Sequence, residues 1–150
     1  MVEPEQAVET LKKGYDRLDA AITYMKEELK SYECPEEVFL QPNDPVITEI
    51  GWGKPEEDSY TRKRNIVVRH REQQIVVGQE RPRTSIDGVS LKVKMAVLRL
   101  YPQLRKAVIE RVAFVGPELL RMVESFIYEN FEEVSPEPEK ENDTRIQRKD

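Results

Sequence analysis

Apolar residues near the start of the chain recur at alternating steps of four and three: Leu11, Tyr15, Leu18, Ile22, Met25, Leu29 and Tyr32. That spacing gathers side chains along one face of a helix and forms a heptad seam. Pro4 suits the first turn, and Cys34-Pro35 ends the helix because the residue before a proline is pushed out of the helical region. The seam serves either as the core-facing side of a helix lying on a sheet or as a self-pairing surface. In the second case Leu11, Leu18, Ile22, Met25 and Leu29 are the oligomerisation positions.

The pattern then shortens. Val38-Phe39-Leu40 and Val46-Ile47-Thr48-Glu49-Ile50 read as strands on either side of the turn-forming Pro42-Asn43-Asp44-Pro45. Gly51-Trp52-Gly53-Lys54-Pro55 reads as a break, followed by a polar loop. Two β-branched triplets, Ile66-Val67-Val68 and Ile75-Val76-Val77, predict a hairpin joined through Arg69-His70-Arg71-Glu72-Gln73-Gln74. Triplets of this kind send apolar side chains to both faces of a sheet, so each face needs a cover. Helices of the chain supply one, and a second copy is expected to supply the other.

Residues 89–100 fit a strand by their alternation or a helix capped by Thr84 or Ser85. The run Met95-Ala96-Val97-Leu98-Arg99-Leu100 abandons alternation and favours the helix. Pro102 then reads as the start of a further helix, Gly116 as its stop and Pro117-Glu118 as a restart. The last helix, roughly 117–132, puts Leu119, Val123, Phe126 and Asn130 on one line, with Leu120, Ile127 and Phe131 beside it. This is a wide apolar face suited to burial or to a partner. The expected fold is α+β: an N-terminal helix, a small antiparallel sheet of about four strands, and two or three C-terminal helices. One domain is expected over 1–134, with a disordered charged tail over 135–150.

Charge changes the picture more than composition does. Residues 1–60 carry 15 acidic and 6 basic side chains, residues 61–111 carry 4 and 13, and residues 112–150 carry 10 and 5. A strongly cationic centre therefore sits between acidic ends, able to hold a polyanion or to pair with those ends. The single cysteine excludes an internal disulfide, and no apolar run approaches the roughly 20 residues that cross a bilayer. A cytoplasmic protein is expected, with the nucleus also open to it.

Catalytic chemistry finds little support. The one histidine, His70, lies between two arginines, where positive charge opposes protonation and repels a metal cation. Cys34 has no clustered histidines for zinc, the glycines form no phosphate loop, and the acidic runs lack the spacing of a calcium loop. No catalytic residue, metal or cofactor is expected. The basic centre is the remaining candidate. Arg62, Lys63, Arg64, Arg69, Arg71, Arg81 and Arg83 suit phosphates, and Trp52 or Tyr60 suit stacking on bases. The leading expectation is a dimeric, non-enzymatic nucleic-acid-binding protein, for RNA or DNA alike. The alternative is a structural or adaptor protein acting through self-association and contacts with protein partners.

Overall fold

The computed structural model describes residues 3–57 and 62–132; Tyr60 and the 135–150 tail lie outside them. The heptad seam becomes helix α1, Pro4–Ser31. At its end the N–H groups of Tyr32 and Glu33 close on the carbonyls of Leu29 and Lys30, and Glu33 takes a left-handed φ of 50° before Pro35. Strands β1 (Val38–Leu40), β2 (Ile47–Gly53), β3 (Asn65–His70) and β4 (Thr84–Ser85) follow, then a 3₁₀ turn at Ile86–Gly88. Helix α2, Leu91–Ile127, completes the order and runs into a π-helical turn, Tyr128–Glu132. The α+β class and the four-stranded antiparallel sheet, ordered β1-β2-β3-β4, are as the pattern predicts. By compactness the chain divides into two units, Met1–Val112 and Ala113–Asp150.

Period-two alternation sorts the sheet into two faces. The cross-strand pairs Val38–Trp52, Leu40–Ile50, Ile50–Val68 and Trp52–Ile66 share the inner one. Ile47 and Ile50, three residues apart, would fall on opposite faces of a regular strand. A bulge resolves this: Ile47 pairs with His70 and Glu49 with Arg69, leaving Thr48 as the extra residue, whose hydroxyl donates to the Arg69 carbonyl at 3.1 Å. Onto the inner face pack Leu18, Ile22, Met25 and Leu29 of α1 and Val93, Ala96, Val97, Leu100, Leu104 and Val108 of α2. The outer face is covered largely by the chain itself. Phe39 lies over Gly51 and Gly53, and the Arg83 guanidinium sits 3.7 Å from the Phe39 ring centroid.

Two polar locks hold this unit together. The Glu28 carboxylate of α1 accepts from Tyr101 (2.5 Å), Arg105 (2.8 Å) and Tyr32 (2.9 Å). The Tyr101 hydroxyl and the Arg105 guanidinium hold its pKa below the ordinary carboxylate range. The buried Asp44 carboxylate accepts from the backbone N–H groups of Val46 (2.9 Å) and Ile47 (3.0 Å) and pairs with Arg99 at 2.8 Å. Burial opposes its charge, but the Ile47 N–H and Arg99 outweigh burial and lower its pKa.

Four local expectations are corrected. One helix stands where two or three were predicted. Pro102 and Pro117 both lie inside α2 and are exposed, so the carbonyls of Leu98 and Ala113 that lose their N–H partners can turn to water. Around Pro102 the core residues Leu100, Leu104 and Val108 also hold the helix through the break. Gly51-Trp52-Gly53 does not break structure but ends β2. Arg69 and His70 belong to β3 rather than to a connection, because they pair with Glu49 and Ile47. Ile75-Val76-Val77 forms no strand: Gly78, with φ 82°, makes a turn closed by Gln79 N–H on the Val76 carbonyl. Thr84–Ser85 occupies the edge of β3 in its place.

Candidate functional site

Three of the seven predicted cationic residues, Arg64, Arg69 and Arg83, are engaged with groups of the chain itself. Arg64 reaches back to the end of α1 and donates to the carbonyls of Cys34, Pro35 (2.9 Å) and Glu36 (3.1 Å). Arg83 donates to both Glu49 oxygens, at 2.5 and 3.3 Å, and stands 3.7 Å from Glu56. Arg69 stands 3.6–3.7 Å from Glu49, Glu56 and Glu80. Beyond the predicted set, Arg99, Arg105 and Arg111 pair with Asp44, Glu28 and Glu36. The charge sorting of the sequence is thus largely resolved inside the molecule: six arginines of the cationic centre are held by the acidic first segment or its carbonyls. Arg62, Lys63 and Arg71 are exposed, and Arg81 is partly so. Trp52, expected to stack on bases, is 5% exposed and part of the core. Its place on β2 opposite Val38 and Ile66 turns it inward.

The α1 seam is likewise consumed internally. Leu18, Ile22, Met25 and Leu29 are buried in the chain's own core, so they are not free to pair with another copy. Leu11 is exposed, together with Val8 and Tyr15.

A run of exposed apolar side chains belongs to residues 113–131, considered as a unit of their own. Leu119, Val123 and Phe126 form one line, with Leu120, Met122 and Ile127 beside it, and they are 38–59% exposed. Phe126 and Phe131 add a ring contact at 5.8 Å. Glu118, Glu124 and Glu129 border this surface, and Glu118 pairs with Arg121. A second exposed surface lies on the outer side of 91–112. Leu91, Met95, Leu98 and Ile109 are exposed there among Lys92, Lys94 and Lys106. The sequence reading identified the first surface and missed the second. Its signal was available: Leu91, Met95 and Leu98 repeat at four and three, offset from the core stripe of Val93, Val97 and Leu100.

The sheet also carries a cleft of about 330 Å³ at the bulged end of β2 and β3. Gln41, Thr48, Glu49, Arg69, Ile75, Gln79, Glu80 and Arg81 line it. Glu49 was another missed position. A carboxylate inside the apolar run Val46–Ile50 needs a cation when the strand is buried, and two are present. Among the described residues no group of three or more His, Cys, Asp or Glu side chains could hold a metal ion. No helix there is long and apolar enough to cross a membrane.

His70 is 8% exposed, and its imidazole Nδ1 finds no hydrogen-bond partner. Burial lowers its pKa below 6.5, Arg81 adds to the effect, and Glu72 opposes it. The unfolded chain therefore takes up this proton first as pH falls. Stability from neutral His70 is complete above about pH 6.5 and is lost as pH drops towards the folded-state value. Urea unfolding between about pH 7 and pH 5 should show stability falling by at most about 1.4 kcal/mol per pH unit. The variant His70→Gln should flatten that slope; an unchanged slope assigns the proton to another group.

Compared with known protein families, curated proteins and solved structures, the chain finds no match.

Proposed function

We propose that this protein is a non-catalytic assembly protein that joins copies of itself through α2. The acid-bordered apolar surface of 113–131 in one copy seats on the lysine-bordered outer surface of 91–112 in another. The observation that carries this reading is the exposure of Leu119, Leu120, Met122, Val123 and Phe126 on one helical segment. Isolated exposed apolar residues are ordinary; a contiguous set of large ones marks a contact surface.

Charge favours a second copy as the occupant. Residues 91–112 carry six basic side chains and one acidic; Arg99, Arg105 and Arg111 are paired within the chain, which leaves Lys92, Lys94 and Lys106, whereas 113–132 carry four acidic and one basic. Pairing 113–131 with its own like would set glutamates against glutamates, while pairing it with 91–112 sets them against lysines. A 19-residue helical face is roughly 28 Å long and 10 Å wide. Two such contacts, reciprocal about a twofold axis, bury about 1,000 Å² in total, the lower bound of a stable interface.

Native mass measured by sedimentation from about 1 to about 200 µM tests the proposal. The mass should double with concentration, and added salt should weaken the pairing by screening the charges. A monomer throughout the range at low salt overturns it. A mass increase that nuclease treatment abolishes also overturns it, and supports instead the binding of nucleic acid through Arg62, Arg71 and the α2 lysines.

A further inference from the structure

Among the described residues, three buried side-chain polar atoms have no hydrogen-bond partner: Arg69 Nε, His70 Nδ1 and Arg81 Nε. Two of them, Arg69 Nε and Arg81 Nε, belong to side chains that line the cleft at the bulge; His70 does not line it. Buried polar groups are nearly always satisfied, so two orphaned guanidinium donors on one cleft point to a partner from outside the chain.

The Arg69 side chain is 13% exposed and stands 3.6–3.7 Å from Glu49, Glu56 and Glu80, but none of these contacts is a hydrogen bond. Glu49 accepts its hydrogen bonds from Arg83 instead. Arg69 is thus held by charge alone, and its buried Nε has no hydrogen bond, beside an open cleft. Glu80, 82% exposed, is the loosest of its neighbours and the easiest to displace.

We infer that this cleft binds a carboxylate, whose two oxygens accept from the guanidinium groups of Arg69 and Arg81 in place of Glu80. A planar two-oxygen acceptor matches the guanidinium fork. The charges set the valence. The cleft is lined by two cations, Arg69 and Arg81, and two anions, Glu49 and Glu80, and displacing Glu80 leaves two cations against one anion, a net of +1. A single carboxylate restores neutrality, whereas a phosphate dianion is opposed by Glu49 and Glu56. Thr48 and Gln79 supply further polar contacts, and a cleft of about 330 Å³ has room for an amino-acid-sized molecule.

Amide resonances of the full chain, followed during titration with N-acetylglycinate, test the assignment. A capped Gly-Glu-Gly tripeptide and inorganic phosphate serve as parallel probes. Saturable shifts at Arg69, Glu80 and Arg81 are expected with a carboxylate probe and not with phosphate. The surface variant Glu80→Gln removes the internal competitor and should tighten binding about threefold. Arg81→Gln should weaken it by at least about as much. Response to N-acetylglycinate alone assigns the cleft to a free small carboxylate; response to the tripeptide alone assigns it to an acidic side chain of a protein. No saturable shift with either carboxylate, in the native chain or in Glu80→Gln, overturns the inference. So does equal response to phosphate, or affinity indifferent to both substitutions.

Discussion

Replacing Leu119 and Phe126 together by glutamate should convert the assembled protein to a monomer and weaken pairing about a millionfold. Each side chain removes roughly 2 kcal/mol of apolar burial from a contact, and the two reciprocal contacts together lose about 8 kcal/mol, which corresponds to that factor. The new charges add to the loss, because they join Glu118, Glu124 and Glu129 on the same segment. Both positions are more than half exposed within the chain. The monomer's unfolding midpoint should therefore stay within the small range typical of surface changes, about 0.5 kcal/mol. Sedimentation of the double variant beside the native chain makes the comparison. Undiminished dimer in the variant removes 113–131 from the interface.

Gly51→Ala should be among the most damaging single substitutions in the sheet, although it adds one methyl group. A Cβ at Gly51 would lie 2.2 Å from Phe39 Cδ1 and 2.6 Å from the Val38 carbonyl oxygen. The ring could swing aside, at the cost of its contact with Arg83. The carbonyl cannot, because it belongs to the backbone of β1, whose Phe39 is the direct cross-strand partner of Gly51. The expected loss is about 3 kcal/mol, with a fall in melting temperature on the order of 12 °C. Gly53→Ala provides the control. Its Cβ would approach the outer atoms of Glu37 and Phe39 at 2.8 Å, side-chain atoms that can move, so it should cost less than about 1 kcal/mol. Equal damage from both would show that backbone collision at Gly51 is not the cause.

Where one force decides an element, the residues announce it. Heptad spacing placed α1 and its buried positions, short apolar runs on either side of a turn placed β1 and the first four residues of β2, and the apolar face over 117–131 was readable from helical spacing alone. Competition between signals hid the rest. Ile75-Val76-Val77 has strand propensity, but the edge of β3 goes to Thr84–Ser85 and Gly78 turns the chain away. Pro102 and Pro117 carry the local signature of helix starts, yet both sit at exposed positions of a continuous helix. The arginines were the hardest to place. Their count was visible, but whether a guanidinium meets solvent or a carboxylate depends on strand register, as with Glu49 beside Arg69.

Glu49, Arg69 and Arg83 come from β2, from β3 and from the segment just before β4, so their ion pairs fasten three neighbouring lengths of chain at one level of the sheet. A slip of β2 by one residue would drive the Glu49 carboxylate into the apolar interior. Loss of either arginine would strip a nearly dry anion of half its support. Replacing all three together by apolar residues should therefore cost less than replacing any one of them alone.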